Sequence, residues 1–502
     1  MVVSATNGAR SAEDSAALAA RQPKPAASTR ETRYLTFAIE SEGLWEASER
    51  RTYALIDERV GRLNERIKSV GNNDVKLGFS FLIPVWMIDA VYPGRIAAVV
   101  RDAFRVAKAR NIAVHFSIET HYLWETRRDL WQDKSNIEWI DWDGTPAPNR
   151  YLDWGSPMKL APHMCYNCPK IRAEVSRLVS EVVGPAIRAG LADVPEGLFA
   201  GVTVGSEPSL DDYTNVDRIN PRLAKLMERE GAAKTRLGFN ALTRAGYSKR
   251  NPPKDFPEAL AKINQEFIAL WAKSFVEAGI PKNRLYTHVA AAAHATPMER
   301  FLNAPIWVAF NDYSRPGFTT YPDGALENNF DILYRELERH GNPPWGGTES
   351  NPTAGNRLVP MREYLARHFD HGATIVVMNS GATSAELTAQ LTKAMWSEAA
   401  VAAYREALGT QAPASAPVVK PAETRNSPAT DIEARIERKI RNVHSMLERL
   451  AQQGGDPTPY RREMREVETL LRSGRPTDAE RQLDDILARL KAAIEKPAGR
   501  TV

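Results

Sequence analysis

The sequence predicts an α/β chain: a (β/α)8 barrel of the TIM type, followed by a small helical bundle or hairpin at the C-terminus. Three observations carry this. Short apolar runs alternate with helix-spaced segments eight times between residues 33 and 406. The runs are rich in β-branched and aromatic residues and lack a central proline, as strands covered on both faces require. No G-x-G-x-x-G turn follows the first run, which counts against the rival open, doubly wound sheet.

The strand candidates are, in order, Tyr34–Ser41, Val75–Pro84, Ala113–Trp124, Leu198–Ser209, Arg284–Ala293, Pro305–Tyr313, Trp345–Asn351 and Thr374–Gly381. Between them run helical spacings, such as Ala97, Val100, Phe104 and Ala107, or Ile171, Val175, Leu178 and Val182–Val183. Pro169 suits a first helical turn, with Cys168 ahead of it as a cap. Further helices are expected at Glu258–Ala278, Asn328–His340, Pro360–His371 and Ser384–Glu406. Eight units in about 370 residues leave room for inserted loops.

Outside this region the composition changes. Residues 1–32, rich in Ala and Ser, read as a disordered leader. Ala16–Ala20 is too short and too weakly apolar for the core of a secretory signal. The sequence as it stands is therefore expected in the cytoplasm, or in the periplasm or outside the cell if a signal peptide preceded it. Pro413, Pro417, Pro421 and Pro428 give residues 407–430 the composition of a linker. From 431 to 495 three apolar stripes follow: Ile432 to Leu450, Met464 to Leu471, and Leu483 to Leu490, each of the first two closed by a Gly-containing turn. Packing of neighbouring helices on each other is the expected use; self-association of chains through this tail is the alternative.

Among the 502 residues, 43% are hydrophobic and 25% charged, the balance of a globular chain with a sizeable core. No run reaches the roughly 18 apolar residues of a spanning helix, so no membrane partner is expected. A net charge of +4 leaves no nucleic-acid footprint. With only Cys165 and Cys168, a disulfide framework is excluded.

Active sites of such barrels are built where strands end. The fourth strand ends Val-Gly-Ser206-Glu207-Pro208, and the seventh ends Gly-Gly-Thr-Glu349-Ser-Asn. Each places a lone carboxylate at the barrel mouth, where neither a helix nor a solvated face accounts for it. Two such carboxylates about 5–5.5 Å apart are what retaining glycoside hydrolysis requires: one protonates the leaving oxygen and the other attacks the anomeric carbon.

On these two motifs and the eight-unit architecture of about residues 33–406, the chain resembles the retaining glycoside hydrolases of clan A. The resemblance implies an enzyme acting on β-linked oligosaccharides or polysaccharides, without cofactor or metal. It implies Glu207 as acid/base and Glu349 as nucleophile. The family's acid/base usually follows Asn; here Ser206 stands there, which leaves recognition of the sugar 2-position to another group or a substituted sugar. The family also holds a Tyr after the sixth strand that bonds the nucleophile, and Tyr313 fits that role.

Aromatic placement adds an independent argument. Trp124, Trp131, Trp139, Trp142 and Trp154, with Tyr122 and Tyr151, crowd the excursion after the third strand. Sugar rings stack their C–H faces on such side chains, so Trp124, Trp142 and Trp154 are substrate-binding candidates. Glu119 and His121, on one side of the third strand by period two, are further candidates, as is Asn379 at the end of the eighth. His288, on the fifth strand, is expected to touch a sugar hydroxyl or orient a catalytic carboxylate, and one of Glu40 and Glu42, which flank the first strand's end, to bind substrate. The Cys165-x-x-Cys168 pair lacks the further ligands of a zinc site and reads as packing at the mouth. A metal-dependent hydrolase barrel is the weaker alternative, since no His-x-His or His-Glu-x-x-His motif is present. The other alternative is a carbohydrate-binding barrel without turnover.

Overall fold

In the computed structural model, eight strands form one parallel sheet that closes on itself: β1 (Arg33–Ala38), β2 (Val75–Pro84), β3 (Ala113–Glu119), β4 (Phe199–Val204), β5 (Leu285–Thr287 and Val289–Ala290), β6 (Gly317–Thr320), β7 (Trp345–Ser350) and β8 (Ala373–Met378). Each pairs with the next, and β8 returns to β1. The fifth strand is broken at His288. Its first piece pairs with β4 and its second with β6, so closure runs through that residue. The fold is a TIM barrel. The residues described are 31–290, 304–321, 330–354, 357–381 and 384–409, with parts of 432–495. All but the last two residues of the leader and nearly all of the Pro-rich linker lie outside them.

One strand departs from expectation. Pro305–Tyr313 is not the sixth strand. Its apolar residues Ile306, Val308 and Ala309 are buried from a single 3-10 turn, Ile306–Ala309. The strand itself begins at Gly317, because a Cβ there would sit 2.1 Å from the Thr287 carbonyl oxygen; only a residue without a side chain lets β6 approach β5.

The helices bury one face each against the sheet. Helix α1 (Glu49–Ile67) buries Ile56, Val60, Leu63 and Ile67 at helical spacing, and α2 (Arg95–Arg110) buries Val99, Val100, Ala103, Phe104 and Ala107. After β3, α3 (Pro169–Arg177) starts with proline in its first turn. Cys168 occupies the cap position without a capping bond, its thiol donating instead to Asn136. After β4, α4 (Phe256–Glu277) is capped by Asp255, whose carboxylate accepts the Glu258 N–H. Helices α5 (Phe330–Arg339), α6 (Met361–Phe369), α7 (Ala385–Met395) and α8 (Glu398–Ala407) complete the ring.

Inside, the barrel is layered along its axis. Tyr34, Ala113, Ala200, Tyr286, Ile375 and Val377 fill the end where strands begin. Above them Ser80, His115 and Thr203 form a hydrogen-bonded chain, with His115 Nδ1 at 2.8 Å and Nε2 at 3.0 Å from the two hydroxyls. Burial pushes His115 down to about 3, so it is neutral. The two glycines of β7 are forced from opposite sides: a Cβ on Gly346 would meet Tyr286 of the interior at 2.9 Å, and one on Gly347 would meet His368 of the covering helix at 2.8 Å. The top of the barrel is left for the carboxylates.

A second small core lies among the loops. Tyr151 and Ala147 of the excursion after β3 pack with Tyr213, Val216, Leu223 and Met227 of the long loop after β4. The excursion carries a hairpin of its own, Arg150–Asp153 with Pro157–Leu160.

The chain divides into two compact units, Met1–Ala414 and Ser415–Val502. The second is helical, with α9 (Thr458–Arg472) and α10 (Pro476–Glu495) burying Met464, Val467, Leu483, Ile486 and Leu490 together with Ile436, Val443 and Leu447. Arg435 and Lys439 both pair with Glu480, tying the first helical stripe to α10.

Candidate active site

Glu207 follows β4 after a sharp turn. Gly205 has φ +90° and Glu207 itself φ +55°, left-handed backbone that a non-glycine residue holds at a cost of roughly 1–3 kcal/mol. Two bonds hold it there. Its N–H donates to the His288 carbonyl at 3.1 Å, and its own carbonyl accepts from the Tyr122 hydroxyl at 3.2 Å. The broken strand β5 thus supplies a carbonyl that an unbroken ladder would have used elsewhere.

Glu349 lies on β7 opposite Thr319 of β6, just past a register shift after Gly347. Such irregularities re-aim side chains. Tyr321 donates its hydroxyl to Glu349 Oε1 at 2.8 Å. Thr319 donates to Glu207 Oε1. His288 Nε2 stands between the carboxylates, 3.9 Å from Glu207 Oε1 and 3.6 Å from Glu349 Oε2, which bounds the separation of those two oxygens at 7.5 Å. The same nitrogen is 2.9 Å from the Thr319 hydroxyl. Thr319 and Tyr321 share a side of the chain by period two, so one segment touches both carboxylates.

The two acids sit in unequal surroundings. The Glu207 side chain is 16% exposed and that of Glu349 30%. Burial, then the nearby Glu349 charge, pushes Glu207 up to about 8 against the opposing Thr319 bond. Glu207 therefore keeps a proton at neutral pH. Burial and the Glu349 charge raise the Tyr321 hydroxyl well above its ordinary value, so it stays a donor. Burial lowers His288, although Glu349 opposes this; the ring is neutral.

The loop leaving Glu207 is pinned from beneath. Arg150 grips Asp211 through Nε and Nη2, at 2.8 and 3.1 Å, and reaches Ser209 Oγ at 2.8 Å. The Ser209 carbonyl faces His163 Nε2 at 2.6 Å and accepts from the Tyr166 hydroxyl at 3.1 Å. The Arg150 guanidinium lies over the Tyr122 ring, whose edge meets Trp154 at 4.6 Å between centroids. Trp154 is 37% exposed.

Of the site residues expected from sequence, Glu207 and Glu349 are brought together, and Trp154 packs on Tyr122, whose hydroxyl bonds the Glu207 carbonyl. Asn379 ends β8 next to Ser350, but its Oδ1 turns back to cap Gly381. The others are placed elsewhere. Tyr313 is beyond the 3-10 turn, its N–H held by Asn311; Tyr321 makes the contact assigned to it, because β6 runs later than expected. Glu119 is buried and spends both oxygens on the N–H groups of His121, Tyr122 and Leu123. It shapes the turn after β3 and offers nothing to a ligand. His121 is buried between Tyr122 and Tyr166. Trp124 is core, packed on Trp86 with its N–H on the Pro162 carbonyl. Trp142 packs on Phe239 and Phe256. Trp124 and Trp142 thus serve packing, Trp124 fully buried and Trp142 half-buried.

The sequence alone does not single out Tyr122, Thr319 and Tyr321 as partners of the carboxylates, whereas His288, expected on the fifth strand to touch a sugar hydroxyl or orient a catalytic carboxylate, lies against both. Period two from a correctly placed β6 would have found Thr319 and Tyr321. Both cysteines are buried and unpaired with each other, Cys165 donating to Asn167 and Cys168 to Asn136. Among the described residues, no three His, Cys, Asp or Glu side chains gather in a metal-binding group, and no helix is long and apolar enough to cross a membrane.

No family model matches the sequence, and no curated protein matches it. Among solved structures, the chain is similar to the catalytic domain of beta-amylase from Paenibacillus polymyxa at 9% identity, covering 70% of this chain and 93% of that one, with a TM-score of 0.37.

Proposed function

We propose that the barrel is a glycoside hydrolase that cleaves β-linked sugars in oligosaccharides or polysaccharides with retention of configuration. The observation that carries the reading is the pair Glu207 and Glu349 flanking one neutral histidine, their facing oxygens within 7.5 Å, with the more buried acid holding its proton. A buried acid that holds its proton beside a second, more exposed carboxyl group is the arrangement that acid and nucleophile roles at one pH require.

In the first step a Glu349 oxygen forms a bond to the anomeric carbon as the bond from that carbon to the leaving oxygen breaks. Glu207 passes its proton to the leaving oxygen. In the second step Glu207, now a carboxylate, takes a proton from water; the water oxygen bonds to the anomeric carbon and Glu349 leaves. Tyr321 donates to Glu349 throughout, which orients the carboxyl group. Trp154, backed by Tyr122, offers an exposed ring face for a sugar.

Glu207→Gln and Glu349→Gln should each lower turnover on aryl glycosides and oligosaccharides by several orders of magnitude with the melting transition kept. Azide should partly rescue small replacements at either position, giving opposite glycosyl azide anomers, and NMR of the first product should show the retained anomer. An inverted product would overturn retention. The facing-oxygen bound is compatible with both the about 5–5.5 Å of retaining pairs and the lower end of the about 6.5–9.5 Å of inverting ones.

A further inference from the structure

One hydroxyl touches both the acid and the histidine. Thr319 Oγ1 lies in hydrogen-bond contact with Glu207 Oε1 and 2.9 Å from His288 Nε2, and the side chain is buried. A hydroxyl has one proton to give and two lone pairs to receive, so it can donate to only one of these neighbours at a time. In a neutral imidazole one nitrogen carries the proton and the other accepts; with the proton on Nδ1, Nε2 is an acceptor facing the Thr319 hydroxyl. The hydroxyl therefore faces two acceptors whenever Glu207 is ionised, and can turn to His288 when Glu207 is protonated.

We propose that Thr319 is a positioning residue that switches its hydroxyl proton between His288 Nε2 and Glu207 Oε1, so that Glu207 is matched by a partner both as acid and as base. The inference rests on the acid/base reading of Glu207 and adds the device that makes its two states accessible. While Glu207 carries its proton, the Thr319 proton rests on His288 and Oε1 is not drawn towards ionisation. Once Glu207 has given its proton away, the hydroxyl rotates by one bond and stabilises the new carboxylate with a charge-assisted bond. No proton leaves Thr319 or His288; only the direction of donation changes. Glu349, His288 and the Tyr122 and Tyr321 hydroxyls are the other titratable groups facing Glu207, and Tyr122 and Tyr321 stay protonated across the range concerned.

The test compares Thr319→Val and Thr319→Ala, which remove the hydroxyl, with Thr319→Ser, which keeps it. Two readouts are taken: the pH profile of kcat/KM on an aryl glycoside, and the titration of Glu207 itself by 13C NMR of protein labelled at the Glu side-chain carboxyl, its peak identified by its loss in Glu207→Gln. Without the hydroxyl the carboxylate loses its donor. The Glu207 titration and the alkaline limb should both move up by about one pH unit, the equivalent of one hydrogen bond to a charged group. The value of kcat should fall about tenfold with KM little changed, and Thr319→Ser should restore all three. A Glu207 titration unmoved in Thr319→Val and Thr319→Ala, or a Thr319→Ser profile matching theirs, would overturn the proposal. The NMR readout does not depend on turnover, so it stands even if Glu207→Gln proves active and the acid/base reading fails.

Discussion

Glu207 combines two destabilising conditions, a left-handed backbone and a buried carboxyl whose ionisation the neighbouring Glu349 resists. This has a consequence for stability with a definite sign. Unfolded, the group ionises near the ordinary glutamate value of about 4.3; folded, it ionises at about 8. Its contribution is complete below the lower value and disappears as pH climbs to the upper one. Glu207→Gln cannot ionise, so its melting temperature should rise relative to the wild type between about pH 4 and pH 8 and then level off, as thermal scans at several pH values would show. A difference that stays constant with pH would refute it. Glu138, also pushed up to about 8 by burial, is present in both proteins and cancels. At this scale the two strand-end glutamates were legible because type and position together were informative. Glu119 was misleading for the converse reason: from sequence a strand-end carboxylate looks the same whether it faces a ligand or three backbone N–H groups.

Among the elements, strand positions followed from apolar runs wherever the run was itself a strand, as at β2, whose bounds match. The sixth strand escaped because its four residues, Gly-Phe-Thr-Thr, are half polar, while the more apolar Ile-Trp-Val-Ala nearby forms a turn. Short apolar runs do not reveal their own conformation. That shift of strand also moved the tyrosine contact from Tyr313 to Tyr321. The excursion after β3 shows the same limit in another form, since five tryptophans could equally line a cleft or build a scaffold, and burial sorts them. Trp154→Ala should weaken oligosaccharide binding by about 1.5–3 kcal/mol in calorimetry while the melting transition stays in place. Trp124→Ala, which empties a packed site against Trp86, should instead cost roughly 3–5 kcal/mol of stability in denaturant unfolding. Equal loss of affinity in both variants would show that the excursion acts as one body rather than through one exposed ring.

For the whole molecule, the barrel and the helical tail each have a core of their own. A chain ending at Ala414 should keep the barrel's melting temperature and its kcat/KM on small aryl glycosides within about twofold; loss of either would assign the tail a part in the barrel's stability or catalysis. The barrel, in turn, is joined at a strand that changes partners halfway. Because the carbonyl exposed at that seam is the one holding the Glu207 backbone, sheet closure and placement of the acid depend on a shared contact. A half-assembled sheet, with β4 formed but β6 not yet docked, would lack Thr319 beside Glu207 and the Tyr321 bond to Glu349. On the proposed hydrolase reading, a misregistered or unfinished chain lacks the contacts that place Glu207 and Glu349, so recovered turnover after refolding should count the molecules whose last seam has been sewn.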